Sequence, residues 1–412
     1  MPRRLPGYAP APHGKTLVGA EPLVFHCNYY NYFLQKTVLL DETLGMDEVI
    51  VDAAYASARA QLEAGARELG LTTASERREL AEHTFAQLGF GILDLSGVAA
   101  AGDARGEARL PVSHYGRCLR IASGAEFANA QSLFDAGFVA AAADFVAQTS
   151  AVSDGKIVAC QSLGAPEGRV AFRPRAEAQR FRSPGLGGHA DGAIPAPSSA
   201  TNVDEPAILA ALSGLDFSGN EEGLVPRFNV MLTHHYANFY NRISFEFLHR
   251  MEGTGLVDAA EELLIEAGLR CAFHTFGGIM TSPEWNAVIR PQCKTQEDWV
   301  HGMVATINAL GWGVYRVQEL VPGKRLVVRI HDDYESSGYL GMYGRAKRPV
   351  SYLAAGGVAG LMNLVYVGNI AGVSGVDTAD YENIFESEAR FSVKQTRGFA
   401  QGDAYTEIVA ER

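Results

Sequence analysis

The sequence has few cysteines, and their spacing argues against two common kinds of structural cross-link. Its 412 residues include five cysteines, an odd number, and no two of them have the CxxC spacing of a zinc ribbon. Scattered cysteines of this kind are typical of proteins in a reducing compartment. We therefore expect no disulfide framework and no structural zinc ribbon, and we expect a cytoplasmic location.

Long apolar runs and a basic excess are also missing. No window approaches the roughly 18 uninterrupted apolar residues of a membrane-spanning helix. The formal net charge is −12, whereas nucleic acids and anionic membranes attract a basic face. With 47% hydrophobic and 20% charged residues, the composition is that of a globular protein. We expect neither nucleic acid nor membrane as a partner.

The familiar catalytic and metal-binding motifs are absent from the sequence. There is no GxSxG elbow, no GxxxxGK[ST] loop, and no GxGxxG following a strand pattern. Histidines with HxH, HxxxH or HExxH spacing are absent too, so we expect no metal site built by the protein. The sequence leaves any cofactor unknown, haem included.

What the chain does contain is a repeat. LGFG at 88–91 returns as LGWG at 310–313, and AGFVA at 136–140 returns as AGGVA at 355–359. Near the front, the aromatic stretch around Asn31 matches the one around Asn238. Because the three matches keep their order and nearly their separation, they predict two copies of one module, arranged about an approximate two-fold axis.

Breaker-rich segments divide the chain into four parts. We expect an extended arm over 1–20, a first module over 21–175, a linker over 176–225 and a second module over 226–412. Proline, glycine and serine dominate the linker, which contains one short apolar helix over 206–215.

Within each module the pattern predicts helices followed by hairpins. The expected helices cover 48–69, 74–88, 257–267, 296–310 and 352–365, and hairpins follow at 314–331 and at the end of each module. Thr295 and Asp298 have the spacing of a capping box. Helices with hairpins and no β-α-β alternation predict an α+β fold with antiparallel sheets.

This order of elements resembles the V4R family, also called the 4-vinyl reductase or hydrocarbon-binding domain, which shares its fold with TRAPP subunits and haem nitric-oxide-binding domains. The closest segments are 402–408, similar to the family's Gly-Asp-Pro-x-Cys-x-Phe ending, and the Ala/Gly-rich run 355–360. The resemblance implies a pocket for an apolar or aromatic small molecule. Zinc-binding members place cysteines where this chain has Thr406 and, nearby, Gly398, whereas the first module keeps Cys160 alone.

Two aromatic stretches with imidazole and amide groups are the candidate site. They cover 232–240 and 25–33, and their mixture of apolar walls and few polar groups is typical of a binding pocket or of an interface between modules. Because adjacent histidines on a strand point to opposite faces, only one of His234 and His235 should face any given ligand. We assign acid/base roles to His274, His235 and Tyr236. The ligand-binding candidates are Asn238, Tyr240, Trp312, Gly356, Gly357, His331 and Tyr334.

Three functions remain open from the sequence. The leading hypothesis is a sensor or carrier that binds a small hydrophobic or aromatic molecule, with the second module holding the pocket. The first alternative is an enzyme that uses His, Tyr and Asp groups of that pocket, with or without a metal, and the second is a scaffold subunit. A homodimer also remains open. His274 has an alternative interpretation as a core histidine bonded to the backbone.

Overall fold

The computed structural model describes residues 5, 8–10, 16–19, 21–99, 102, 104–124, 127–185, 195–197, 200–372, 378–385 and 387–412. Its helices are interspersed with antiparallel sheets, which confirms the α+β prediction. In the arm, two segments form strands, β1 (Tyr8–Pro10) and β2 (Thr16–Val18); the rest of the arm, apart from residues 5 and 19, lies outside the described residues.

The first module runs from β3 to β7. Its elements are β3 (Glu21–Cys27), α1 (Asn28–Val38), α2 (Met46–Leu69), α3 (Ala74–Gln87), β4 (Gly91–Asp94), β5 (Gly106–Ser113), α4 (Leu119–Ser123), α5 (Leu133–Val146), β6 (Val152–Ala159) and β7 (Gly168–Arg175). Between the modules lie α6 (Glu205–Ser213), close to the helix predicted in the linker, and β8 (Val225–Arg227).

The second module repeats this order with two additional helices. Its elements are β9 (Val230–Tyr236), α7 (Ala237–Glu252), α8 (Val257–Thr281), α9 (Pro283–Val288), α10 (Gln296–Ala309), β10 (Val314–Val321), β11 (Arg325–His331), α11 (Tyr334–Tyr343), α12 (Tyr352–Met362), α13 (Thr378–Phe385), β12 (Ser392–Arg397) and β13 (Thr406–Glu411). The helix predicted over 257–267 is longer than expected, because it continues through two glycines to Thr281.

Each module has its own four-stranded antiparallel sheet with the same strand order. The first is β4-β5-β7-β6 and the second is β10-β11-β13-β12. The LG(F/W)G motif starts each sheet with matching backbone angles: φ is +83° at Gly89 and +82° at Gly311, then +119° at Gly91 and +136° at Gly313. Only glycine adopts such positive φ values without strain, which explains why the motif recurs.

A third sheet joins the modules. Its order is β1-β2-β3-β9-β8, so β3 and β9 pair antiparallel in its middle, with Phe25 opposite His234. The Phe25 N–H donates to the Leu310 carbonyl at 3.0 Å, and the His234 N–H donates to the Leu88 carbonyl at 2.9 Å. These two equivalent bonds place an approximate two-fold axis between Phe25 and His234. Through them, each central strand is hydrogen-bonded to the other module.

This axis corrects one sequence match. It makes His26 equivalent to His235 and Asn31 equivalent to Tyr240, so the predicted match of Asn31 with Asn238 is wrong by two residues. The capping box at Thr295 and Asp298 is confirmed. The helix predicted over 352–365 ends at Met362 and continues as a π-helical turn, Asn363–Val367.

Glycine allows the main helix pair of each module to pack closely. A Cβ on Gly137 of α5 would lie 2.1 Å from the Val51 carbonyl oxygen of α2. A Cβ on Gly356 of α12 would lie 2.2 Å from the Ile265 carbonyl oxygen of α8. Both positions therefore exclude a side chain. The two contacts also align α2 of the first module with α8 of the second, so that Val51 is equivalent to Ile265.

Candidate functional site

Two histidine–tyrosine pairs lie on either side of the approximate two-fold axis. His26 Nε2 is 3.2 Å from the Tyr334 hydroxyl, and His235 Nε2 is 2.9 Å from the Tyr115 hydroxyl. In each pair the imidazole comes from the central strand of one module and the phenol follows the second sheet strand of the other. All four side chains are buried, so the site exists only when the two modules are together.

Further polar groups connect the two pairs. The Tyr240 hydroxyl donates to Asn31 Oδ1 at 2.5 Å, and the Asn31 amide nitrogen lies 3.0 Å from His114 Nε2 and 3.4 Å from the Thr233 hydroxyl. The Tyr240 ring also packs against both paired imidazoles, with centroids 4.7 Å from His26 and 4.6 Å from His235. The result is a continuous polar and aromatic centre.

Burial keeps this centre uncharged near neutral pH. It lowers the pKa of His114 to about 3 and the pKa values of His26 and His235 well below their usual range. It also raises the pKa values of Tyr115 and Tyr334 well above 10. A buried neutral imidazole still offers one donor and one acceptor, as it does in solution.

Two histidines of this centre each have an unused ring nitrogen. Within the described residues, Nδ1 of His26 and Nδ1 of His114 have no hydrogen-bond partner, although these atoms are shielded from solvent. Unpaired buried polar atoms of this kind are uncommon in folded proteins. Each Nδ1 is therefore a position at which a ligand or an ordered water would be stabilised.

In the first module, phenylalanine rings fill the space next to this centre. His235 lies 4.9 Å from the Phe90 ring and 4.4 Å from the Phe134 ring. Phe85 and Phe138 pack on the same cluster, 4.9 Å apart. The first module thus covers the apolar side of His235, which the second module contributes, with its own side chains.

The second module has the same arrangement with fewer rings. His26 lies 5.0 Å from Trp312, which is equivalent to Phe90, and Trp312 lies 5.8 Å from Phe276. Gly357 stands at the position of Phe138, and a Cβ there would lie 3.8 Å from both Trp312 and Phe276. The tryptophan nitrogen donates to the Phe25 carbonyl at 2.8 Å, which fixes the indole plane.

The difference between the two cores can be counted at five equivalent positions, aligned by the shared motifs and by the glycine contacts of the paired helices. The first module has Leu62, Phe85, Phe90, Phe134 and Phe138. The second has Phe276, Ile307, Trp312, Leu353 and Gly357. At these positions the first module has four aromatic residues and the second has two. The core of the second module therefore contains less side-chain volume around His26.

Some predicted site residues lie elsewhere. The His274 ring stacks on Tyr29 at 4.1 Å, on the face of α8 that meets α1 and α13. The Tyr236 hydroxyl donates to the Gln61 side chain of α2. The structure therefore does not bring these two side chains next to Trp312.

Two further predicted residues are also separate from the centre. Asn238 donates to the Gly185 carbonyl at 2.8 Å and anchors the start of the linker. His331, at the end of β11, lies 5.7 Å from the Tyr405 ring. Of the predicted residues, the structure groups His235, Tyr240, Trp312, Gly357 and Tyr334.

Several members of the centre were assigned no individual role from the sequence, although four of them lie in the candidate stretches 25–33 and 232–240. They are His26, Tyr30, Asn31, His114, Tyr115 and Thr233. Most of them lie in segments that the two modules share in sequence. The stretch 25–33 matches the histidine-containing stretch 232–240, and Ser113-His114-Tyr115 corresponds to the segment that contains Tyr334. The sequence does not show that β3 and β9 pair, so it does not show that each half-site is built from both modules.

Cys160 and Thr406, which the sequence resemblance compares with zinc ligands, have hydrogen-bonded side chains. Cys160 Sγ lies 3.1 Å from the Ser132 hydroxyl and 3.0 Å from the Ser162 hydroxyl. The Thr406 hydroxyl donates to Asp333 at 2.7 Å. Across the described part of the chain, no three His, Cys, Asp or Glu side chains are grouped as a metal site would require.

None of the helices within the described ranges has the length and apolar character to span a bilayer.

The chain is similar to a solved structure but matches no known family. No family model matches the chain, and no curated protein matches it. Among solved structures, the crystal structure of the phenol-responsive sensory domain of the transcription activator PoxR with phenol is similar, with a TM-score of 0.37 and 13% sequence identity. The match covers 52% of this chain and 90% of that chain.

Proposed function

We propose that this protein binds a small, uncharged hydrophobic or aromatic molecule in the core of its second module, beside Trp312. The observation that carries the proposal is Gly357, which occupies the position of Phe138 in the first module. The phenylalanine cluster of the first module fills the equivalent region with its own rings. A core with fewer rings next to a buried imidazole is a place for a ligand ring, because protein interiors otherwise pack densely.

The walls and the polar end of the site indicate the chemistry of the ligand. Trp312 and Phe276 offer flat apolar surfaces, which favour stacked or edge-on contact with another ring. His26 and Tyr334 supply the polar contacts at one end. Since burial keeps both groups neutral, and burying an unpaired charge is costly, the site favours a neutral ligand with one hydroxyl or similar group.

We also propose that the module is V4R-like, as the sequence resemblance implies. The repeated order of helices, paired sheet strands and an Ala/Gly-rich helix supports this assignment. The same family resemblance implies hydrocarbon or aromatic ligands, which agrees with the chemistry of the second core.

Substitutions between the equivalent positions of the two modules test the proposal. Phenol and toluene are titrated into the wild-type protein and into Gly357→Phe and Gly357→Ala variants, and binding is measured by calorimetry. We expect Gly357→Phe to abolish binding, because it installs the ring of the first module. Gly357→Ala should retain binding, since its Cβ makes ordinary contacts.

The reciprocal variant is a control for misfolding, because it should gain binding instead of losing it. Phe138→Gly removes the equivalent phenylalanine ring from the first module, and we expect it to raise the number of bound toluene molecules from one to two. Unchanged affinity in a folded Gly357→Phe variant would place the ligand elsewhere. Absence of phenol and toluene binding to the wild-type protein would contradict the proposed ligand class.

A further inference from the structure

Two buried cysteines from different modules meet at one threonine. Cys27 ends β3 of the first module, and Cys271 lies on α8 of the second. The Thr275 hydroxyl is 2.8 Å from Cys27 Sγ and 3.3 Å from Cys271 Sγ. Both sulfur atoms therefore lie against the same hydroxyl group, although 244 positions separate the two residues in the chain (271 − 27).

We propose that Cys27 and Cys271 form a redox-active pair that a small peroxide converts into a disulfide between the modules. The proposal does not depend on the ligand site at Trp312. It assigns the reacting thiol to Cys27 and the resolving thiol to Cys271.

The position of Cys27 favours the thiolate that this chemistry needs. It is the N-cap residue of α1, where free backbone amides and the helix dipole stabilise a negative charge. Burial alone would raise the pKa of the Cys27 thiol, but the neighbouring Cys271 thiol, the Thr275 hydroxyl and the nearby amides of Tyr29 and Tyr30 lower it below the ordinary value.

Cys271 has the opposite environment. Burial, together with the neighbouring Cys27, raises the pKa of the Cys271 thiol well above its ordinary value, so it remains protonated. Its S–H can donate to the Thr275 oxygen while the Thr275 hydroxyl donates to Cys27. The position of Cys27 at the N-terminus of α1, against that of Cys271 in the interior of α8, thus distinguishes a nucleophile from a resolving partner.

The reaction balances with a peroxide as the oxidant. The Cys27 thiolate attacks one peroxide oxygen, an S–O bond forms, the O–O bond breaks, and the leaving oxygen departs with a proton as water or alcohol. Cys271 then attacks the sulfenic sulfur, the S–S bond forms, the S–O bond breaks, and the proton from Cys271 leaves with the hydroxyl as water. Two thiols are oxidised and one peroxide is reduced.

A cleft lies beside the residues that follow Cys27. It has a volume of about 330 Å³ between α1, the β8–β9 hairpin and the start of α9, and Asn28 and Tyr29 line its wall. Solvent, and with it a small oxidant such as hydrogen peroxide, therefore reaches the first turn of α1, which begins at Asn28.

The two-fold repeat supplies an internal comparison. The equivalents of Cys27, Cys271 and Thr275 are Tyr236, Ser57 and Gln61, and the Tyr236 hydroxyl donates to the Gln61 side chain. The same corner of the other half is therefore closed by an ordinary hydrogen bond. The first and second modules thus differ at these positions, and only the Cys27–Cys271 half has a cysteine at both.

Mass spectrometry of the peroxide-treated protein tests the proposal. With hydrogen peroxide, the intact wild-type protein should lose two hydrogen atoms, and digestion should yield a peptide linked through Cys27 and Cys271. The variant Cys271→Ser carries the residue that the other module has at this position, so the fold should accept it. It should accumulate sulfenic acid at Cys27, trapped by dimedone.

Cys160 is the matched control, because it is also buried and bonded to two hydroxyl groups but has no cysteine partner. We expect Cys27 to react at least about tenfold faster, because its position at the N-terminus of α1 favours the reactive thiolate. Equal rates at Cys27 and Cys160, or a folded wild-type protein whose five thiols survive peroxide, would overturn the proposal. So would a linked peptide that Cys27→Ser leaves unchanged.

Discussion

His26 and Tyr334 are 308 residues apart in the chain and 3.2 Å apart in the fold. Their counterparts His235 and Tyr115 make the same contact at 2.9 Å. Each histidine belongs to a strand of the central sheet, and each tyrosine belongs to the other module. The two modules therefore complete each other's core, and a change in one pair can be measured against the same change in the other.

The first prediction uses this symmetry. Tyr334→Phe and Tyr115→Phe each leave a buried histidine nitrogen without a partner, so each should lower the free energy of unfolding by about 1–3 kcal/mol. Only Tyr334→Phe should also weaken phenol binding, by about tenfold for each 1.4 kcal/mol lost. Toluene, which has no hydroxyl, should bind both variants as it binds the wild-type protein.

Calorimetry with both probes and urea denaturation of both variants separate the two effects. If Tyr115→Phe weakens phenol binding as much as Tyr334→Phe does, the first module also holds ligand. Equal losses of phenol and toluene affinity would show that Tyr334 shapes the pocket without bonding the ligand.

The sequence predicts the sheets of the modules better than the sheet that joins them. The LG(F/W)G glycines and the hairpins were recognisable because their backbone requirements are local. All seven residues of β3 are buried, so the strand lacks the alternation that identifies a half-exposed strand. Its partner β9 is far along the chain, because Phe25 pairs with His234, which is 209 positions later (234 − 25).

The candidate site shows the same limit. Tyr240, Trp312, Gly357 and Tyr334 could be selected because they are aromatic or lie in a repeated motif. The contact of His26 with Tyr334 could not, because it follows from β3 pairing with β9 across the two-fold axis. Periodicity within one module contains no information on that pairing.

The second prediction concerns two adjacent glycines of α12. A Cβ on Gly356 would lie 2.2 Å from the Ile265 carbonyl oxygen, whereas a Cβ on Gly357 would meet nothing closer than 3.8 Å. Gly356→Ala should therefore lower the free energy of unfolding by about 1–3 kcal/mol through overpacking. Gly357→Ala should be neutral or should stabilise by up to about 1 kcal/mol, since alanine favours the helix.

Urea denaturation of the two variants checks this, with Gly137→Ala in the first module as a second case of the overpacked kind. A Gly356→Ala variant as stable as Gly357→Ala would show that α8 and α12 are not packed as closely as described.

The third prediction concerns acid sensitivity. His234 stacks on Phe25 at 4.0 Å, and burial lowers its pKa to about 3 from 6.5. Below pH 6.5 the unfolded chain gains a proton that the folded chain does not, so this stability is present above pH 6.5 and is lost as the pH falls toward 3. Buried Glu335, with its pKa raised to about 8, acts in the opposite direction, since its stability is lost as the pH rises through 8.

A difference between variants isolates the histidine. His234→Phe installs the residue found at the equivalent position, Phe25. Relative to the wild-type protein, the variant should gain about 2 kcal/mol of unfolding free energy between pH 7 and pH 5, which is about 1.4 kcal/mol per pH unit below 6.5. Parallel pH profiles, measured by urea denaturation, would show that His234 is protonated alike in the folded and unfolded chains.

The last prediction concerns His274, to which the sequence analysis assigned an acid/base role in the pocket. In the structure its ring stacks on Tyr29 at 4.1 Å and lies parallel to Tyr381 at 6.0 Å, at the junction of α8 with α1 and α13. Burial and the nearby Arg270 lower its pKa to about 4, so the stacked ring is neutral. We expect His274→Ala to lower the free energy of unfolding by about 0.5–1.5 kcal/mol, the contribution of such aromatic pairs, while phenol and toluene affinities stay unchanged. His274→Phe, which keeps a ring against Tyr29, should restore most of the stability. If His274→Ala instead weakens phenol binding tenfold at an unchanged melting temperature, the ligand lies against α8 and α1, and the site beside Trp312 is wrong.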